Sequence, residues 1–270
     1  AFPLLQAMKG HENDLWNLSF GENMVILVTN FVKFLFKGKN RVSRFITRIC
    51  DKVMSRFDYK KGLFTHDPPS SMDELLRRFQ DRLNVLTESV LTDHQEIEGA
   101  LRTYFPTPLA SSLSKGCLEK GKDVYEGGAQ FNSAGIQAVG VTDVADSLHA
   151  LNEVVFKKKL FTLERVIKAI DGNFQGATGQ KIRDALLAVP KFGDDSSEET
   201  VKWMNKVMHM WNVALDSVGN VPRDGRYSAG YYALTVNTRY GERTPALPSG
   251  RLKGVPLANS ITPHYGMEQS

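Results

Sequence analysis

The chain has 270 residues, 41% of them hydrophobic, and its 34 basic and 30 acidic side chains leave a formal net charge of +4. This is the composition of an ordinary soluble globular protein with enough apolar residues for one large or two modest domains, and it excludes disordered and fibrous classes. The charge is too small to identify a nucleic-acid binder, and two distant cysteines form neither a zinc pattern nor a disulfide framework, as expected of a reducing, cytoplasmic protein.

Two regions are expected, residues 1–64 and 65–270. In the first, MVILVTNFVKFLF (24–36) is the longest apolar run, but Asn30 and Lys33 interrupt it. It is also shorter than the ~20 residues of a bilayer span, so a buried element and no membrane association are expected. No basic leader or cleavage pattern precedes it, so no secretory signal is expected. RVSRFITRICDKVMSRF (41–57) sets Val42, Phe45, Ile49, Val53 and Phe57 on one helical stripe, with Arg41, Arg44, Arg48 and Lys52 beside it. That predicts an amphipathic helix with a basic face. Such a face is usually just solvated; contact with phosphates or an anionic membrane is the alternative.

The two prolines of THDPPSS (65–71) mark a linker. Ser71 and Glu74 then form a capping box for a helix whose stripe (Met72, Leu76, Phe79, Leu83, Leu86, Val90, Ile97, Leu101) runs to FPTP, which predicts one long buried helix with Thr92 as the place for a break. His94 lies on this stripe and is expected to be a hydrogen-bonded core histidine without a functional role. Residues 106–142 are glycine-rich and read as loop and strand. Helices resume in VADSLHALNEVVF, in LERVIKAI closed by Asp171-Gly172, in GQKIRDALLAV before Pro190, and in SSEETVKWMNKVMHMWNVALDSV, where Ser196 and Glu199 suggest a second capping box. Trp203, Met204, Met208, Met210 and Trp211 fall at helical spacing and read as core rather than as a cofactor box. The tail returns to strands and turns, with YYALTV (231–236) the strongest strand. The fold class is therefore mixed α and β.

The residues alone offer little chemistry. There is no HExxH, GxSxG or P-loop string, and the six histidines are scattered, so no metal site is expected. Cys117, in SKGCLEKGKDVYEGGAQFN (114–132), has Lys115, Lys120 and Lys122 nearby to favour a thiolate and Glu119 to oppose it. A reactive cysteine and a structural thiol both fit.

Four strings together resemble the glycyl radical enzymes, the family of pyruvate formate-lyase: GCLEKGKDVYEGGAQFN, DVADSLHALNEVVF, AVPKFGDD, and the tail GRYSAGYYALTVNTRYGERTPALPSGRLKGVPLANSITPHYG. The tail is the most specific. Thr244, Ala246, Leu247, Pro248, Gly250 and Arg251 fit a family string ending in Asp-Gly-Arg, and Pro256, Leu257 and Ala258 fit one ending in Asp-Gly. Ser249 replaces the first aspartate, and Asn259-Ser260 replaces the second Asp-Gly.

The resemblance implies part of a ten-stranded α/β barrel surrounded by helices. It implies a radical lyase, dehydratase or formate C-acetyltransferase of anaerobic metabolism, acting on a small organic substrate as a homodimer, with no nucleic acid. It also implies no bound cofactor, because a separate activating enzyme installs the glycyl radical on the protein. Under this resemblance Cys117 is structural, since the family's thiyl cysteine belongs to an earlier Gly-Cys-x-Glu loop. The nearest match to that loop is AMKGHENDL, with His11 after Gly10 and Glu12 as the candidate acid/base. No Arg-Val-x-Gly-Tyr string is present, and RVSRF (41–45) has Arg44 in the glycine's slot. The expectation is a fragment or truncated relative, inactive alone; the alternative is a non-catalytic paralogue acting as a binding subunit. Candidate substrate-lining residues are one face of the expected strand (Tyr232, Leu234 and Val236, or else Tyr231, Ala233 and Thr235), with Asn237, Thr244 and His264 near its end.

Overall fold

The Ser71 side chain accepts the Glu74 amide at 3.2 Å and so caps the first helix, α1 (Met72–Tyr104). In the computed structural model, which describes residues 69–195, 197–233, 235–264 and 266, this is the longest element. The elements expected at 24–36 and 41–57, Glu12 and Leu234 lie outside those residues. The reciprocal half of the capping box is displaced by one residue: the Glu74 carboxylate takes the Ser70 amide at 2.8 Å and its hydroxyl at 2.9 Å. There is no break at Thr92, whose hydroxyl donates to the Glu88 carbonyl at 2.8 Å and stays within the helical ladder. Nor is the helix deeply buried. Thr87, Leu91 and Glu98 are its fully buried side chains among those described.

After α1 the chain forms α2 (Pro108–Leu113), α3 (Cys117–Lys120), a 3-10 turn (Val124–Glu126) and β1 (Ala134–Gln137). Then come α4 (Val141–Leu151) with a π-helical turn at its end (Asn152–Lys157), α5 (Leu163–Asp171) and α6 (Gly176–Leu187). Next are α7 (Glu198–Asp216), β2 (Asn220–Val221), β3 (Gly225–Gly230) and α8 (Val236–Arg243). The second expected capping box, Ser196 with Glu199, falls partly outside the described residues. Ser197 is the N-cap and makes no side-chain cap bond, Ser196 lies outside the described residues, and Glu199 pairs with Lys202 at 2.7 Å.

Helix α4 is buried on almost every side and is the centre of the molecule. It packs with α7 through Val141, Ala145, Leu148, Trp203, Met204 and Val207. Its other end, with α5 and α6, builds a core of Ala150, Val154, Val166, Ile182 and Leu186. Thus Trp203, Met204 and Met210 are core, as their helical spacing implies. The three strands lie in the order β1-β3-β2, with β1 parallel to β3 and β2 antiparallel to it.

None of the described residues of YYALTV is in a strand. The paired segment is GRYSAG (Gly225–Gly230), and Tyr231 to Ala233 are irregular before α8 begins at Val236. The reason is close approach: a Cβ on Gly225 would lie 1.0 Å from the Asn132 carbonyl oxygen, and one on Gly230 would lie 2.1 Å from the Gln137 side chain. Pairing with β1 demands bare backbone at both ends, and that outweighs the β-propensity of the bulkier run. The later tail is irregular too, with no strand among its described residues. Among the described residues no helix is long and apolar enough to cross a membrane.

Candidate functional site

Because β1 and β3 are parallel, their carboxyl ends share one edge, the edge where α/β proteins place ligands. Ala138 continues the pairing by donating its amide to Gly230 at 3.0 Å. The Gln137 carboxamide lies over Gly230, and its Oε1 accepts the Tyr232 amide at 3.2 Å. Tyr232 itself is 63% exposed at this edge. The expected alternation of faces therefore does not apply beyond Gly230. Tyr231 turns inward against the α4–α7 core, Tyr232 and Ala233 are exposed, and Val236 is half-buried in the first turn of α8.

The other expected candidates separate. Asn237 is buried and clamps the tail, donating Nδ2 to the Leu257 carbonyl at 2.9 Å while its own carbonyl accepts the Leu257 amide at 3.2 Å. Thr244 closes α8 by donating its hydroxyl to the Tyr240 carbonyl at 2.8 Å. His264 has Nε2 at 2.9 Å from the Pro256 carbonyl and lines a cavity of about 100 Å³ with Asp143, Asp146, Arg183, Lys191 and Arg251.

That ionic cluster supports the edge. Asp143 and Asp146 occupy the first turns of α4. Asp143 accepts the Ala258 amide and Asp146 the Phe192 amide, each at 2.8 Å. Lys191 donates to the carbonyls of Leu186 and Val189 at 2.7 and 2.6 Å, and Arg183 donates to that of Gly250 at 2.9 Å. Ser260 donates to the Tyr231 carbonyl at 2.5 Å, which ties the tail to the end of β3. The charges thus hold main chain, and through it the edge.

Burial raises the Asp143 carboxyl above its ordinary value. It pushes Asp146 up to about 6 against the opposing pull of the Phe192 amide and Lys191, and pushes Lys191 down to about 8. A carboxyl whose folded pKa exceeds its unfolded one binds its proton more tightly when folded, so acidification from about pH 6 towards pH 4 favours the folded state at this site. The melting temperature of the native chain relative to Asp146→Asn is therefore expected to rise over that interval. A difference that stays flat with pH would contradict the assignment.

Cys117 is 3% exposed, in the tight turn entered by Gly116 at φ 99°. Lys120, one of the cations expected to favour a thiolate, donates instead to the carbonyls of Gly127 and Ala129 at 3.2 and 3.1 Å. The thiol is free and buried. His94 is half-buried, not core: it approaches Glu98 at 3.7 Å and meets the Tyr227 ring edge-on at 5.7 Å. Among the described residues no group of three or more His, Cys, Asp or Glu side chains is placed to hold a metal.

The family model described as pyruvate formate lyase-like matches residues 49–241. The chain belongs to this family, the glycyl radical enzymes. It is 32% identical to trans-4-hydroxy-L-proline dehydratase of Clostridioides difficile over 76% of this chain and 26% of that protein. It is 28% identical to (2S)-3-sulfopropanediol dehydratase of Klebsiella oxytoca over 73% of this chain and 24% of that one. Among solved structures, the B12-independent glycerol dehydratase of Clostridium butyricum superposes with a TM-score of 0.70 at 28% identity, over 74% of this chain and 25% of that one. The chain spans about a quarter of the length of these relatives. The mixed α/β fold is thus a portion of the family's α/β barrel domain.

Gln137 and the Asp143, Asp146 and Lys191 cluster were not singled out from the sequence. Two aspartates three residues apart in the otherwise apolar string DVADSLHAL were the available signal for part of it, since carboxylates on a buried helix need partners.

Proposed function

We propose that this chain forms a wall of the catalytic barrel of a glycyl radical dehydratase or lyase, with the carboxyl edge of β1 and β3 facing a small hydroxylated substrate. The observation that supports the reading most is the junction of Gln137 and Tyr232 at that edge, within a segment matched by the family model. Gln137 and the exposed Tyr232 bind and orient the substrate. The cluster around Asp143 and Arg251 keeps the edge rigid, as pre-organised binding requires. In the complete fold a glycyl radical, installed by a separate activating enzyme, would supply hydrogen-atom abstraction. Within residues 1–270 neither the family's cysteine loop nor its glycine string is recognised. By themselves these residues bind without turning over, and the working protein is a cytoplasmic, anaerobic homodimer. A non-catalytic binding subunit is the second reading, favoured by His11 in the slot after Gly10.

The test is electron paramagnetic resonance on the 270-residue chain after anaerobic treatment with an activating enzyme. No glycyl-type doublet is expected, and its appearance would overturn the claim that these residues carry no radical site.

A further inference from the structure

The cavity of about 100 Å³ beside α4 carries charge of both signs and a hydroxyl that the fold does not use. Among the described residues its charged groups are hydrogen-bonded to main chain and not to one another. Asp146 engages the Phe192 amide through Oδ1 alone, which leaves Oδ2 as an acceptor. Arg183 reaches the Gly250 carbonyl through Nε alone, which leaves both terminal nitrogens as donors. Lys191 donates to two carbonyls and has a third proton to give. Arg251, by contrast, is fully engaged with carbonyls, and Asp143 holds the Ala258 amide through Oδ2. Ser249 also lines the cavity and is 7% exposed, and its hydroxyl has no hydrogen-bond partner among the described residues. A buried hydroxyl without a partner is destabilising, and native proteins seldom keep one that serves nothing.

This lining selects its occupant. The aspartates repel a simple anion, and Arg183 and Lys191 repel a simple cation, whereas a small molecule with both charges meets each with its opposite. Burial holds Asp146 at about 6 and Lys191 at about 8, so near pH 7 both signs are present. Leu187 and Leu252 add apolar wall beside them. Since a cavity of about 150 Å³ takes benzene, the volume here suits a ligand of about four to six non-hydrogen atoms. We propose that this cavity binds a small zwitterionic α-amino acid. Its carboxylate meets Arg183, Lys191 and the Ser249 hydroxyl, its ammonium meets Asp146, and its short side chain lies against Leu187 and Leu252. The proposal rests on these groups and not on the chemistry proposed above.

The test is calorimetric titration of the 270-residue chain at neutral pH with glycine and with L-alanine. Saturable binding is expected, with a Kd of about 1 mM or tighter. Acetate and methylamine, which each carry one of the two charges, should bind at least about tenfold more weakly, because each leaves part of the lining unmatched. Ser249→Ala should weaken glycine binding about tenfold, as loss of one hydrogen bond to a charged group does. The same variant should leave the melting temperature unchanged, because the hydroxyl bonds nothing else in the described protein. Absence of saturation up to about 10 mM overturns the proposal, since a tiny ligand held at both charges binds more tightly than that. Acetate or methylamine binding as tightly as glycine overturns it as well. Glycine binding unaltered in Ser249→Ala places the ligand elsewhere, and a lowered melting temperature in that variant shows that the hydroxyl serves the fold; either result also overturns it.

Discussion

Arg251→Met is expected to release the C-terminal segment from the rest of the molecule and to lower stability more than any other single change to the ionic cluster. Its guanidinium donates to the carbonyls of Gly241 at 2.6 Å, Pro245 at 2.9 Å, Thr244 at 3.4 Å and Pro256 at 3.5 Å, and also to that of Val255. Its own carbonyl accepts the Leu247 amide at 3.0 Å, so one residue organises the turns on both sides of itself. The segment contains no regular structure between Thr244 and His264, and so has few other places to satisfy those carbonyls. A neutral side chain of similar volume fills the space but leaves the acceptors unpaired, a loss of about 3–5 kcal/mol by analogy with broken buried charged networks. For a domain of this size that is a fall of roughly 10 °C in melting temperature. Limited proteolysis should cut first within 244–264. An unchanged melting temperature with no new cleavage there would show that the carbonyls are held by something else.

Gly225→Ala should be nearly as damaging, for a steric reason. The added methyl carbon would lie 1.0 Å from the Asn132 carbonyl oxygen and 2.2 Å from its carbon, both of them main-chain atoms that cannot rotate away. Either β3 separates from the 132–134 approach to β1, or the approach itself shifts, and the Ala134–Tyr227 pairing is lost in both cases. Leu91, Leu215 and Val221 pack against that pair, so the disturbance reaches the core between α1, α7 and the sheet. Overpacking a core costs about 1–3 kcal/mol and occasionally more, and a main-chain clash belongs at the upper end. Amide exchange at residues 134–137 and 225–230, with thermal denaturation, measures it. Protection equal to that of the native chain would show that the approach at Gly225 is looser than the structure has it. Gly135→Ala is the control: its Cβ would meet only the Gln137 side-chain nitrogen, at 3.6 Å, and little change is expected.

The two outcomes separate what each part of the sequence does. Helical segments were readable because the information is local: a stripe of apolar residues at 3.6-residue spacing, a Ser71 cap and an Asp171-Gly172 stop each act within a few residues. Membership of the family was readable from four strings, and the family model bears it out. The strand at the centre of the candidate site was misplaced by about one strand length, since YYALTV carries the stronger local preference. Its displacement depends on Asn132 and Gln137, about ninety residues earlier in the chain. The ionic cluster was hidden for the same reason. Asp143, Lys191, Arg251 and His264 are unremarkable singly, and only folding places them around one cavity, where burial raises the pKa of Asp143 and lowers those of Lys191 and Arg251.

By itself, then, the sequence determined the mixed α/β class, the helices of the middle of the chain and the family. Tertiary structure alone decided which extended segment pairs with β1, where Tyr232 and His264 stand, and which charges hold the tail. The physical reason is range: helix periodicity and capping are settled by neighbours along the chain, whereas steric exclusion at Gly225 and desolvation at Asp146 are settled by residues that only the fold brings near.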